Sequence, residues 1–249
     1  LFFLLPSLHF WTGFLGKEAL LFLLMVVLLK QLKLKIFNWS FIATFLLIFL
    51  IRPHVFFMLV VAFTLALLLE KGFSKVLKRN ILLVTTATFL VFIPIFFTYF
   101  LKINMFDMDA IQEMFLGLAQ HSEVNGNSKI DLLNTSIFSR IAYLLFMPLP
   151  FLYDIKNLFQ WMASIENMYF IAVLLYVIFF FIKNKVSFIR LRIDQRFAFI
   201  ASFLLIILFG SYLYNLGLGN RMRVMFLPYL FYVLITVINS KLQNESKTN

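Results

Sequence analysis

Long apolar runs, separated by short clusters of Lys and Arg, recur along the whole chain. Runs at about residues 14–30, 36–51, 53–70, 80–101, 167–182, 197–215 and 223–239 reach or approach the length a helix needs to cross a ~30 Å hydrocarbon core at ~1.5 Å per residue. Helices are expected there, because an open strand in lipid leaves its backbone groups unpaired. The pattern predicts an all-α, polytopic transmembrane helical bundle of about seven spans.

One long polar stretch, 102–166, interrupts the series and is expected to be an extracytoplasmic loop with surface and re-entrant helices. Within it, "DMDAIQEMFLGLAQ" places Ile111, Met114, Phe115 and Leu118 on one stripe, with Asp109 and Gln112 spaced as a capping box, so an amphipathic surface helix is expected. The same letters allow a weaker reading in which Asp107 and Asp109 form an Asp-x-Asp metal or nucleotide-sugar motif. "HSEVNGNSKID" reads as an exposed turn-rich loop. "TSIFSRIAYLLFMPLPFLYD" is apolar enough to dip into the membrane before Pro148 and Pro150 stop it.

Composition agrees with this class: 63% of the 249 residues are hydrophobic and 13% charged, too little polar surface to cover a water-soluble globule. The chain opens inside an apolar stretch, with no initiator Met and no basic leader, so a single transmembrane domain lacking its N-terminal part is expected. The absence of Cys removes disulfides, thiolate metal sites and thiol nucleophiles.

The net charge of +11 changes the picture once it is mapped onto the spans. Clusters at Lys30–Lys35, Glu70–Arg79, Lys183–Arg196 and Lys241–Lys247 hold 14 of the 22 basic residues and three acids, and they alternate as cytoplasmic loops should under the positive-inside rule. The opposite face holds 8 basic and 8 acidic residues. The high charge is thus a topology signal, it gives no support to nucleic acid as a partner, and it predicts an outer 102–166 loop and a cytoplasmic C-terminus.

Four cations then fall at one depth. If Lys35 marks the cytoplasmic surface, the helix that follows rises only ~25 Å before "IRPHV" turns the chain back, which leaves Arg52 and His54 below the outer surface. The competing reading, one long helix kinked at Pro53, would put the later basic clusters outside. The same arithmetic recesses Lys17 by placing it ~18 Å from Leu29, while "GNRMRVMFLPY" puts Arg221 and Arg223 at the outer end of the last span. Snorkelling is the bland alternative for each cation, with Glu18 as a neutralising neighbour of Lys17; several together mark a functional candidate. Arg140 either joins this set or marks a helix surface, and Glu166 either acts as a base or caps the fifth span. His9 reads as a packed interfacial residue, and Trp11, Trp39 and Trp161 as surface aromatics. Phosphate loops, His-Glu-x-x-His and Gly-x-Ser-x-Gly are missing, so no metal or other cofactor is expected.

The patches "LPSLHFWTGFLGKE", "IRPHV", "PLPFLYDIKNLFQWMASIEN" and "GNRMRVMFLP" resemble, in that order, recurring segments of bacterial multi-spanning proteins of exopolysaccharide and O-antigen assembly. Those proteins look like GT-C-type glycosyltransferases or repeat-unit polymerases. The resemblance implies an enzyme of the cytoplasmic (inner) membrane that works at its outer side on sugars carried by polyprenyl phosphate, among membrane lipids and other polysaccharide-assembly proteins. It also implies a catalytic acid in a first outer loop upstream of this chain. On this chain's own residues, Lys17, Arg52, Arg221 and Arg223 are the candidates for holding the lipid phosphate, and Glu18, Glu166 and His54 for catalysis. A transporter or flippase for a lipid-linked saccharide would use the same cations without a base, and a non-catalytic membrane subunit would use the patches to bind a partner.

Overall fold

The computed structural model describes residues 17–34, 38–124, 130–132, 134–150, 155, 158–183 and 191–245, and it is all-helical. In chain order the helices are α1 (Lys17–Lys33), α2 (Trp39–Ile51), α3 (Pro53–Leu68), α4 (Lys75–Ile95), a π-helical turn Phe96–Leu101 continuous with α4, α5 (Met108–Val124), α6 (Ile137–Phe146), α7 (Leu158–Lys183), α8 (Ile193–Ser211) and α9 (Leu216–Glu245). Among the described residues a helix overlaps each of the seven expected apolar runs. Among the described residues three are long and apolar enough to cross a membrane: Lys75–Leu101, Gln160–Phe180 within α7, and Ile193–Ser211. The apolar helices α2, α3 and α6 are shorter: Pro53 follows the end of α2 and opens α3, and Pro148 lies just past the end of α6.

The corner at Arg52 shows this local control. Asn38 caps α2 by accepting from the Ser40 amide at 3.2 Å. Arg52 is extended (φ −145°, ψ 81°), as a residue before proline should be, and Pro53 opens α3 at the position where its missing N–H costs nothing. Phe41 meets Phe63, and Phe45 and Phe49 meet Phe56, so contacts move up one helix as they move down the other. α2 and α3 therefore form an antiparallel hairpin, not one kinked helix.

α8 lies at the centre. It buries Ala198, Ala201, Leu205 and Phe209 at helical spacing, and Ala62 and Ala66 of α3 are buried as well. Small residues on both helices let the backbones approach closely, the usual means of packing where lipid removes the hydrophobic drive. α9 runs back along α8 with Tyr229 against Phe197. α6 packs on α8 so tightly that a Cβ on Gly210 would meet Ile141 Cγ1 at 2.5 Å.

One end of the bundle is tied by polar side chains. Arg196, 3% exposed, donates to Ala66 O (3.1 Å), Leu191 O (2.8 Å) and Glu70 Oε2 (3.2 Å). Arg192 pairs with Asp194, which also accepts from Tyr232. The sequence reading counted Arg196 with the loop cations. α8 starts four residues earlier than expected, which draws Arg196 inside its first turn.

α4 is different, since none of its residues is buried. Ser74 caps its start, Pro94 removes an amide near its end, and the π-helical turn follows before Lys102 stops it in the left-handed region (φ 57°). It touches α3 through Thr64 and Thr85, whose hydroxyls are 2.7 Å apart, and through a ladder of Phe rings.

Candidate functional site

At the end of the bundle opposite Arg196, α1, the α2–α3 corner, the π-helical turn and α9 enclose a pocket of about 580 Å³. Lys17, Glu18, Arg52, His54 and Arg221 supply its polar wall, and Phe96, Phe100 and Leu101 its apolar one. Five of the seven site residues expected from sequence thus share one cavity, although they come from three distant parts of the chain.

Glu18 organises it. The carboxylate is 9% exposed and its Oε1 accepts from Arg52 Nη2 at 3.0 Å and also from Arg221 Nη2. Glu18 is therefore the counter-ion of two arginines, and not of its neighbour Lys17, as the bland alternative would have it. Consecutive helical residues point about 100° apart, whereas the corner and α9 bring their guanidinium groups onto the Glu18 face. Lys17 is exposed at the mouth and has no ion-pair partner among the described residues. Among the described residues, three cations against one carboxylate give the pocket lining a formal net charge of +2, with the histidine left out.

His54 lies one residue beyond Pro53, its ring edge-on to Phe209 and its Nε2 3.4 Å from the Tyr212 hydroxyl. Tyr212 was not singled out from sequence. It is an unremarkable aromatic in an apolar run, and only the antiparallel pairing of α3 with α8 brings it to His54.

Arg223 and Glu166 do not belong to this pocket. Arg223 is buried, and its Nε donates to Leu144 O, its Nη2 to Met147 O at 2.7 Å and its Nη1 to Asn167 Oδ1. The reason is angular: two residues along a helix is about 200°, so Arg221 and Arg223 face opposite ways. Asn167, also missed from sequence, donates in turn to Pro148 O at 2.9 Å. Glu166, within α7 and not at its cap, lies near enough to act on the Arg223 charge. This second cluster fastens α6 and the chain after it to α7 and α9.

The remaining candidates have structural places. Asp107, not Asp109, caps α5, with its Oδ1 accepting from the Ala110 amide at 3.0 Å, because the helix begins two residues earlier than a cap at Asp109 requires. Ile111 and Met114 are half-buried while Asp109, Gln112 and Glu113 are exposed, an amphipathic division. Arg140 donates to Leu132 O at 3.5 Å and does not join the pocket. Trp39 and Trp161 are exposed. His9 and Trp11 lie outside the described residues. No group of three His, Asp or Glu fit to hold a metal occurs among the described residues.

Comparison with protein-family models, with curated proteins and with solved structures finds no match to this chain.

Proposed function

We propose that the chain is an integral membrane enzyme of cell-surface polysaccharide assembly. It transfers a sugar or repeat unit from a polyprenyl-phosphate-linked donor at the outer side of the cytoplasmic membrane. The observation that carries this reading is the +2 pocket at one end of an apolar bundle, where Lys17, Arg52 and Arg221 converge. Ionisable groups at lipid depth are costly and mark ligand paths.

In this arrangement the seven helices that cover the apolar runs cross the membrane, the 102–166 segment lies outside and the C-terminus in the cytoplasm. Arg52 and Arg221 hold the phosphate oxygens by charge-assisted bonds, and Lys17 closes the mouth. An acceptor hydroxyl attacks the anomeric carbon, the carbon–oxygen bond to the lipid phosphate breaks, and the electron pair leaves on the phosphate. Stabilising that charge is the pocket's main contribution to rate. The hydroxyl proton passes to a base, for which His54 has the position in the pocket. Glu18 acts as the group that orients both arginines. No cofactor is invoked.

One observation favours a second reading, a transporter for the same lipid-linked saccharide: the pocket's carboxylate is already engaged by two guanidinium groups, as a binding site without a base would have it. Mass spectrometry of the lipid-linked saccharides separates the two in cells lacking the gene and in cells complemented with wild type, Arg52→Ala or Arg221→Ala. The enzyme reading expects an unextended unit to accumulate at the outer side, in the deletion and in both variants. Trapping at the cytoplasmic side would establish transport instead, and an unchanged pool in both variants would refute the phosphate clamp.

A further inference from the structure

A groove of about 350 Å³ opens between α1 and α9 toward the end of the bundle tied by Arg196, away from the charged pocket. The two helices run parallel there, since Glu18 meets Arg221 near their starts while Lys33 shares the groove with Ile235 further along. Phe22, Val26 and Leu29 line it from α1 at helical spacing, and Pro228 and Phe231 from α9. Its polar end carries Lys30 and Lys33, one turn apart on one face, a spacing that sets Cβ atoms about 5–6 Å from each other. Both lysines are exposed, and neither has an ion-pair partner among the described residues. No carboxylate lines the groove among the described residues. The acid that Tyr232 of its wall reaches, Asp194, is already paired with Arg192 at 2.7 Å.

We propose that this groove is a site for an anionic phospholipid of the leaflet opposite the charged pocket, with its phosphodiester between Lys30 and Lys33 and an acyl chain laid along α1 toward Phe22. The inference rests on the membrane-spanning arrangement above, in which this end faces the cytoplasm, and not on the chemistry of the charged pocket. Charge selects the headgroup. Two ammonium groups with no carboxylate beside them attract an anion and give a zwitterionic lipid little, because its own cation is repelled. Length selects the chain. From Phe22 to Lys33 α1 rises about 16 Å, close to half of a ~30 Å hydrocarbon core, which is the depth an acyl chain of one leaflet covers. Position keeps the two sites apart, since Lys30 lies about 18 Å of helix rise beyond Glu18.

Native mass spectrometry of the full chain, released from detergent, tests this with phosphatidylglycerol and phosphatidylcholine of the same acyl chains. The wild type should retain phosphatidylglycerol roughly thirtyfold better, about fivefold for each lysine beside the headgroup. Lys30→Gln and Lys33→Gln should each weaken phosphatidylglycerol about fivefold and leave phosphatidylcholine unchanged. Val26→Trp, which fills the middle of the groove, should weaken phosphatidylglycerol about tenfold, the equivalent of about two methylenes kept out of an apolar site. Leu23→Trp, exposed on α1 outside the groove, controls for folding and should match wild type. Lys71→Gln with Lys75→Gln removes two exposed lysines from the same end of the bundle, outside the groove, and should also match wild type. If that pair lowered phosphatidylglycerol retention as much as the groove lysines do, the attraction would be a diffuse surface effect and the site would be overturned. Phosphatidylcholine retained as strongly as phosphatidylglycerol would overturn the site while keeping the spanning arrangement. A wild type that retained neither lipid would overturn both together.

Discussion

Replacing Arg223 by Met keeps the volume and removes the donors. Three acceptors then lose their partners: Leu144 O, Met147 O and Asn167 Oδ1. A buried acceptor left without a donor costs roughly 1–3 kcal/mol, so three cost about 3–6 kcal/mol once α6 relaxes toward water or lipid headgroups. At about 2–4 °C per kcal/mol for a chain of this size, the midpoint of thermal unfolding should fall on the order of 10 °C. Intrinsic fluorescence of the purified protein in detergent measures it. Asn167→Leu removes the same bond from the other side, so its loss and that of Arg223→Met should overlap by about 0.5–3 kcal/mol in a double-mutant cycle. Arg221→Ala, two residues away and 39% exposed, should leave the midpoint almost unmoved while abolishing phosphate binding. An Arg223→Met midpoint within about 2 °C of wild type, below the lower bound of about 6 °C from the same conversion, would refute the reasoning that this residue fastens the loop segment and not the substrate.

Glu18→Gln removes the resident counter-ion and should tighten binding of a polyisoprenyl phosphate roughly fivefold, from about 1 kcal/mol of relieved repulsion at several Å in a half-wet site. If Glu18 were the base, affinity would stay constant and turnover would fall about 10²–10⁴-fold. Gly210→Ala drives a methyl into Ile141, and should cost about 1–3 kcal/mol in thermal unfolding, with Ile141→Ala restoring part of it. The chain has no Cys, so Thr64→Cys with Thr85→Cys gives one designed pair; oxidation should produce an intramolecular cross-link seen as a mobility shift, and its absence would count against the α3–α4 pairing.

The hairpin at Arg52 was legible because proline acts locally: it fixes its predecessor and opens the next helix whatever surrounds it. The gathering of Lys17, Arg52 and Arg221 at one end followed from residue counts along apolar runs, which measure depth. Depth carries no angle, which is why Arg223 was grouped with Arg221 although it faces α6 and α7. The alternative in which Glu18 merely neutralises Lys17 fails for the same reason, since adjacency in sequence is not adjacency on a helix. Asn167 and Tyr212 left no signal, because each is a lone polar group whose partner lies tens of residues away. Arg196 was placed in a loop because the α8 boundary, set by the Arg192 amide donating to Gln195 at 3.1 Å, falls before the apolar run begins.

The brevity of α2 has a consequence for the lipid around it. Trp39–Ile51 rises only about 20 Å and Pro53–Leu68 about 24 Å, against a ~30 Å core. In the spanning arrangement the bilayer beside this hairpin is pinched by several Å, at a fraction of a kcal/mol for each. Under the proposed function, such a pinch would draw headgroups and water down to Arg52 on the side where the pocket opens, and a hydrophilic acceptor would meet a lipid-borne donor without crossing a full leaflet. Membrane elasticity also favours two such dimples merging, which makes bilayer thickness a variable that would gather copies of this chain in thin membrane and disperse them in thick.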